Sequence, residues 1–243
     1  SLSWRPFSES TLRIRASYKD IFRVPTFTDL YYLRMGNTNL KPEETSQYNV
    51  GVTWSSSCGD WLRHFSISAD GYYNTVKDKI VALPTMYVWK MMNMGEVDIK
   101  GVDVNLSTQF RLPLRMSLLL ASTYSFQYAV DVTDPEAKNY KDQIPYTPRH
   151  SGTVSVTLEN PWVNVSYILT AVGDRYALPQ NIDRNRIDSY IEQSISINRD
   201  FRFRYFGLRL QGELLNLANV NYDVIQYYPM PGRSWRLSIC LSY

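Results

Sequence analysis

GRSWRLSICLSY, residues 232–243, is the stretch from which the rest of the chain is read. Trp235, Leu237, Ile239, Leu241 and Tyr243 alternate with Arg236, Ser238, Cys240 and Ser242. Successive side chains of a β-strand point to opposite faces, so this period of two gives one apolar and one polar face. A strand that crosses a bilayer needs ~9–11 residues, apolar toward lipid and polar toward the lumen. A half-buried strand of a soluble sheet carries the same pattern. The reading therefore turns on whether the remaining sequence repeats it.

It does. Residues 12–19 set Leu12, Ile14, Ala16 and Tyr18 against Arg13, Arg15, Ser17 and Lys19. Residues 46–54 set Tyr48, Val50, Val52 and Trp54 against Gln47, Asn49, Gly51 and Thr53. The alternation returns in 61–73, 97–110, 116–128, 152–158, 162–171, 187–197 and 204–217, with Leu119, Ala121, Ile168 and Gln193 out of phase. With the final segment this makes about ten strands, and residues 2–6 read as the end of another.

The connections are of two kinds. Short turns fall near 6–10, 55–60, 111–115, 159–161 and 198–203, and longer loops near 20–43, 74–95, 129–150, 172–186 and 218–232. The two kinds alternate throughout. In an up-and-down meander, successive connections lie at opposite ends, so the short turns share one rim and the long loops the other. Transmembrane barrels show that asymmetry, whereas a soluble sandwich has no reason to sort loop length by end. Trp4, Trp54, Trp61, Trp162, Phe201 and Phe203 sit beside short turns and predict one interfacial girdle. Tyr18, Tyr72, Tyr73, Tyr128 and Tyr176 predict a second belt toward the long loops.

Composition narrows the function classes. Apolar residues make up 44% of the 243, yet no run of them is long enough for a membrane-spanning helix. A net charge of +3, evenly spread, gives no basis for nucleic-acid binding. Cys58 and Cys240 form neither a metal pattern nor a disulfide framework and are read as unpaired. The two histidines, His64 and His150, belong to no nucleophile elbow, zinc helix or phosphate loop. The carboxylates are scattered without a recurring spacing. No catalytic residue, metal ligand or cofactor is expected.

Binding fits the residues better. The long-loop rim offers Tyr31, Tyr32 and Arg34, then Tyr87, Trp89 and Met91, then Tyr146 and Arg149, then Tyr227. Aromatic and methionine side chains give adaptable apolar contact, and arginine anchors carboxylate or phosphate. These nine are the candidate ligand contacts.

Several phrases resemble the TonB-dependent outer-membrane receptors. FRVPTFTDLYY (22–32) followed by GNTNLKPEETSQYNVGV (36–52) is similar to that family's arginine-proline and asparagine-leucine-lysine-proline-glutamate boxes. NMGEVDIKGVDV (93–104), IPYTPRH (144–150), NLANVNYD (216–223) and YPMPGRSW (228–235) resemble later segments, in the family's order. Tyr243 resembles the family's terminal aromatic signal for barrel assembly, where Phe is commoner. The resemblance implies a barrel of about 22 strands with a plugged lumen. This chain, 1–243, would be the carboxy-terminal portion of that barrel without its plug domain.

The expected fold is thus all-β, an antiparallel up-and-down meander of about ten strands within a larger transmembrane β-barrel. The implied function is energy-coupled uptake of a scarce nutrient, a ferric siderophore or cobalamin, across a Gram-negative outer membrane. The implied partners are outer-membrane lipid, an extracellular small-molecule ligand, and a TonB-type energy transducer reached through the missing plug. Heme receptors of the family carry a histidine between the two boxes; here TFTDLYYLRMG (26–36) has none, which argues against heme. Two alternatives stand beside this reading: a self-contained small barrel acting as a pore or hydrolase, and a soluble β-sandwich binding module.

Overall fold

Alternation along the chain becomes one antiparallel sheet in the computed structural model, which describes residues 1–7 and 11–242. Strands β1 (Leu2–Trp4), β2 (Arg13–Arg23), β3 (Glu43–Cys58), β4 (Leu62–Pro84) and β5 (Trp89–Leu112) lie side by side in chain order. Strands β6 (Met116–Asp131), β7 (His150–Glu159) and β8 (Asn164–Val172) extend the sheet. The short β9 (Arg175–Tyr176) and β10 (Arg186–Ile187) pair with each other outside it. Strand β11 (Tyr190–Arg202) returns beside β8 and is followed by β12 (Gly207–Leu215). After a second short ladder, β13 (Asp223–Ile225) with β14 (Tyr228–Pro229), the last strand β15 (Ser234–Ser242) pairs with β12.

The main sheet has 11 strands among the described residues, each beside its predecessor, and no second sheet packs on its face as a sandwich requires. Tyr243, the side chain of Cys58 and part of the turn expected near 6–10 lie outside the described residues.

Register joins the strand faces into bands. On the outer face Ile14 pairs with Val52, Val52 with Ala69, Ala69 with Val104 and Val104 with Tyr124. At the far edge Leu208 faces Leu241, Leu210 faces Ile239 and Leu214 faces Trp235. The inner face is polar: Arg15 pairs with Asp70 at 2.9 Å, Ser125 donates to Asp103 at 2.6 Å, and Arg236 pairs with Glu213. Gln193, out of phase on the outer face, accepts a hydrogen bond from the Tyr167 hydroxyl at 3.0 Å. A polar group facing hydrocarbon needs such a partner.

Two aromatic belts bound the apolar band. At the short-turn rim Trp61 stacks on Phe110 at 5.8 Å, Trp54 meets Phe65 edge-on at 5.2 Å, and Phe203 stacks on Phe206 at 4.6 Å. Toward the loops one transverse row runs Tyr18, Tyr48, Tyr73, Lys100, Tyr128 in register across five strands. Two of the expected belt members are elsewhere. Tyr72 pairs with Gly101 on the inner face, lying so close that a Cβ at Gly101 would come within 2.5 Å of its hydroxyl. Tyr176 belongs to β9, outside the sheet.

One expected loop is not a loop. Residues 74–95 continue β4 and β5 as a paired arm as far as Pro84 opposite Trp89, leaving only 85–88 as its turn. The alternation hid this because the apolar residues change faces. Below the tyrosine row they point outward. Above it Val76, Met94, Val97 and Ile99 point inward and form a buried core with Ala129 and Ile144, where the 132–149 connection folds over the arm. The outer face at that height carries Thr75 with Asp98 and Lys77 with Glu96 instead.

The connection from β2 to β3 holds the short helix α1 (Phe27–Tyr31). Thr26 caps it: its hydroxyl accepts from the Asp29 N–H at 3.2 Å, and its own N–H donates to the Asp29 carboxylate at 2.9 Å. Arg23 reaches that carboxylate at 3.1 Å and Glu43 at 3.5 Å, so the helix is tied to both flanking strands. Asp29 is buried, 8% exposed.

Two outcomes follow from this architecture. In the full-length protein, Val104→Arg puts a cation on the lipid face and is expected to cost about 2–4 kcal/mol in urea unfolding from lipid vesicles, while Asn105→Arg, facing inward, costs far less. The Thr26 N–H, acting against burial and aided by the Thr26 side chain and then Arg23, holds the Asp29 carboxyl below its ordinary 3.8. A lowered pKa contributes stability that is complete above the ordinary value and fades as pH falls through the lowered one. A spin label at Leu33 should therefore stay immobile from pH 7 to about 4 and loosen below that, whereas Asp29→Asn leaves it mobile throughout.

Candidate functional site

Long connections gather at the rim above the tyrosine row, and hydrogen bonds stitch them into one assembly. Met91 on the arm donates its N–H to the Met35 carbonyl at 2.9 Å, and the Asn37 amide returns to the Met91 carbonyl at 3.1 Å. Asn93 is the second rivet: its oxygen accepts from the Lys41 N–H at 2.8 Å while its nitrogen bonds the carbonyls of Lys41 and Asp78 at 3.0 and 2.7 Å. The α1 connection is thereby fastened along the arm.

Between the arm and the other connections lies a cavity of about 450 Å³. Its walls come from four separate segments: Val81, Leu83 and Trp89 of the arm, Ile144 and Tyr146 of the 132–149 connection, Arg175 of β9, and Val224 with Ile225 of β13. Trp89 and Tyr146 face each other with ring centroids 5.7 Å apart. Tyr146 holds a positive φ of 57°, and its N–H is fixed by the Tyr176 carbonyl at 2.7 Å. Burial pushes its hydroxyl pKa above the ordinary 10.0, against the Gln226 backbone and the charge of Arg175. The hydroxyl thus stays protonated and able to donate at any physiological pH.

Arg175 is the unusual member. It is only 3% exposed, and one terminal nitrogen donates to the carbonyls of Asp223 and Val224 at 2.6 and 3.1 Å. Its guanidinium lies 5.6 Å from the centre of the Tyr190 ring, which is itself stacked on Tyr222 at 4.1 Å. The other terminal nitrogen is buried with no hydrogen-bond partner. A buried cationic donor left unsatisfied is costly. Such an arrangement is held in place by its neighbours and gains from any acceptor brought to it.

The nine candidate contacts do not all converge. Trp89 and Tyr146 line the cavity, and Met91 is tied to the α1 connection beside it. Tyr31 and Tyr32 are exposed together at the end of α1, Tyr227 is exposed between β13 and β14, Tyr87 is 87% exposed at the arm's turn, and Arg34 takes a positive φ of 67° just past α1. Arg149 lies over Tyr128, in the outward-facing row, and bonds Gln143 at 3.1 Å. Residue type alone found the aromatic part of the cavity. It missed Arg175, Ile144, Val224 and Ile225, since nothing in a primary sequence distinguishes Arg175 from a solvated arginine such as Arg186. Larger concavities exist elsewhere: an apolar trough on the outer wall around Gly212 and Trp235, and a polar one on the inner face around Arg15 and Asp103. Among the described residues no three His, Cys, Asp or Glu side chains gather as a metal site.

Comparison with known proteins agrees with this geometry. The family model for the TonB dependent receptor-like β-barrel matches residues 1–217. A vitamin B12 transporter, BtuB, of Photobacterium profundum is 27% identical over 236 residues, covering 93% of this chain and 34% of the relative. The chain thus spans about a third of the length of the curated relatives it matches. Among solved structures, the ferric citrate transporter FecA superposes with a TM-score of 0.72 at 12% identity, over 98% of this chain and 37% of that one. The siderophore receptor PiuA from Acinetobacter baumannii gives 0.70 at 17% identity, over 99% and 34%. At such identities the structural matches speak for the fold, and the family match carries the conclusion. The chain belongs to the TonB-dependent receptor-like β-barrel family.

Proposed function

We propose that this chain is the carboxy-terminal portion of an outer-membrane receptor for energy-coupled uptake of a scarce nutrient, and that the rim cavity around Arg175 contacts the cargo. A ferric siderophore or cobalamin is the cargo class. The relatives named above are a vitamin B12 transporter, a ferric citrate transporter and a siderophore receptor. The observation that carries the reading is the cavity itself, built at the long-loop rim from four segments and holding one buried cation with a free donor. In the whole protein a TonB-type energy transducer, acting through an amino-terminal plug, supplies the drive.

The residues divide the work. Trp89 and Tyr146 offer flat apolar area to a ring or a macrocycle edge. The protonated Tyr146 hydroxyl offers a donor to a carboxylate, phosphate, catecholate or amide oxygen, and Arg175 in the cavity wall adds a positive charge that favours an anionic group. Because Arg175 is fixed by two carbonyls before any cargo arrives, little side-chain entropy is lost when it binds. Below the cavity the polar inner face provides a hydrophilic path. Nothing in this arrangement breaks a bond in the cargo, in keeping with a transport role.

Binding of radiolabelled cyanocobalamin and of ferric citrate to cells producing the full-length protein tests the assignment. Tyr146→Ala and Arg175→Gln are each expected to weaken the cargo that binds by about tenfold or more, the equivalent of roughly 1.4 kcal/mol. Unchanged heat-modifiability on gels shows that the barrel still forms. Wild-type affinity in both variants would place the cargo elsewhere on the rim.

A further inference from the structure

The tyrosine row contains one break. Between Tyr73 and Tyr128 stands Lys100, and it is paired in register with both. Its ammonium lies 5.2 Å from the centre of the Tyr128 ring, and the Arg149 guanidinium lies 5.2 Å from the centre of the same ring. Two cations thus share one aromatic side chain. Both side chains are exposed, and among the described residues neither has an ion-pair partner within 4.0 Å. The acidic groups facing this patch are engaged elsewhere. Asp98, two residues above Lys100, accepts from Thr75, Glu96 pairs with Lys77, and Asp20 accepts from Tyr18 and Ser46.

Height decides what such a pair meets. In the row below, on the same face, are Val50, Val102 and Phe126, of which Val50 and Val102 are exposed, with the exposed His150 ring beside Phe126 at 5.1 Å. The row above is polar on four strands, Asp20, Ser46, Thr75 and Asp98, and its fifth member, Val130, is buried beside Gln143. Lys100 and Arg149 therefore stand where the apolar wall ends, at the level of headgroups rather than acyl chains. Tyrosine is favoured at that level because one end of it is apolar and the other wet. Lysine there can lay its stem on the wall and keep its charge in water. Arg149 is oriented in advance: its Nε donates to Gln143, whose own amide is held by the Thr147 carbonyl, which leaves both terminal nitrogens without a partner among the described residues. A guanidinium with two free terminal nitrogens matches the oxygens of a phosphate.

We propose that Lys100, Tyr128 and Arg149 form a binding site on the outer wall for the phosphate of a membrane-lipid headgroup, its acyl chains lying along Val102 and Phe126. Two like charges over one ring repel each other, and an anion between headgroup and wall relieves that repulsion. The site faces away from the lumen, so it is separate from the cargo cavity and does not depend on the uptake reading. Interfacial cations attract anionic lipid by this mechanism generally. Here the pair is fixed to one spot, giving a defined lipid position rather than a diffuse preference.

Native mass spectrometry of the detergent-purified full-length protein, titrated with dihexanoyl phosphatidic acid, dihexanoyl phosphatidylcholine or inorganic phosphate, tests the site. The wild type is expected to hold phosphatidic acid about tenfold more tightly than phosphatidylcholine. The double variant Lys100→Gln with Arg149→Gln should bind the two lipids alike, while Lys77→Gln, whose cation is already paired, keeps the preference. Lys100→Gln alone should lose several-fold, which preserves the test should the double variant fail to fold. Equal affinity for the two lipids in the wild type, or an undiminished preference in the double variant, overturns the proposal. Inorganic phosphate competing at the same concentration as phosphatidic acid overturns it too, by showing a free-anion site.

Discussion

Hydrocarbon offers no water to a peptide group, so each N–H and C=O at membrane depth must find its partner within the protein. In this chain lateral pairing of one sheet meets the requirement strand to neighbouring strand from β1 to β15, apart from the outer edges of those two strands, which have no neighbour among the described residues. Most other features follow from it. A sheet with lipid on one side and a lumen on the other imposes strict alternation. Strand-to-strand register then turns each strand's alternation into transverse rows, apolar outside and polar inside. Because consecutive strands are antiparallel neighbours, every connection is a simple reversal at one rim or the other.

The same alternation continues beyond the bilayer but with its chemistry inverted. Once β4 and β5 rise past the tyrosine row, water lies outside them and folded chain lies within. Val76, Met94 and Val97 accordingly turn inward against Ile144, and Thr75, Lys77 and Asp98 turn outward. One continuous pair of strands thus serves as membrane wall below and as the spine of a small soluble-type core above. That core fixes the 132–149 connection, and through it Tyr146. The α1 connection is fixed separately by the Asp29 and Asn93 networks. The rim is consequently a built surface, and its cavity has walls that do not depend on a bound molecule.

Arginine occupies two contrasting positions in this design. Arg175 is buried among loops, held by carbonyls and a tyrosine ring, with one donor unsatisfied. Arg149 is exposed on the outer wall, held at Nε and over a different tyrosine ring. In both cases a planar cation is oriented by fixed neighbours before any anion arrives. The difference is the medium each faces, a rim cavity for one and the headgroup level for the other.

How much of this was legible in the chain follows from the range of each interaction. Period two in Trp235, Leu237, Ile239 and Leu241, and its recurrence, determined the all-β class, the strand order and which faces meet lipid, because alternation is local and the membrane enforces it. The aromatic rims were legible for the same reason, apart from Tyr72 and Tyr176, whose faces depend on register and on loop packing. The arm of β4 and β5 was not legible, since its apolar residues change sides where the surroundings change, and a pattern with no fixed sense reads as irregular. Of the rim, Trp89 and Tyr146 could be nominated by type. Their convergence with Arg175, and the departure of Arg149 to the outer wall, were decided only by the tertiary structure. Those placements arise from contacts between segments far apart in sequence, and no local period records them.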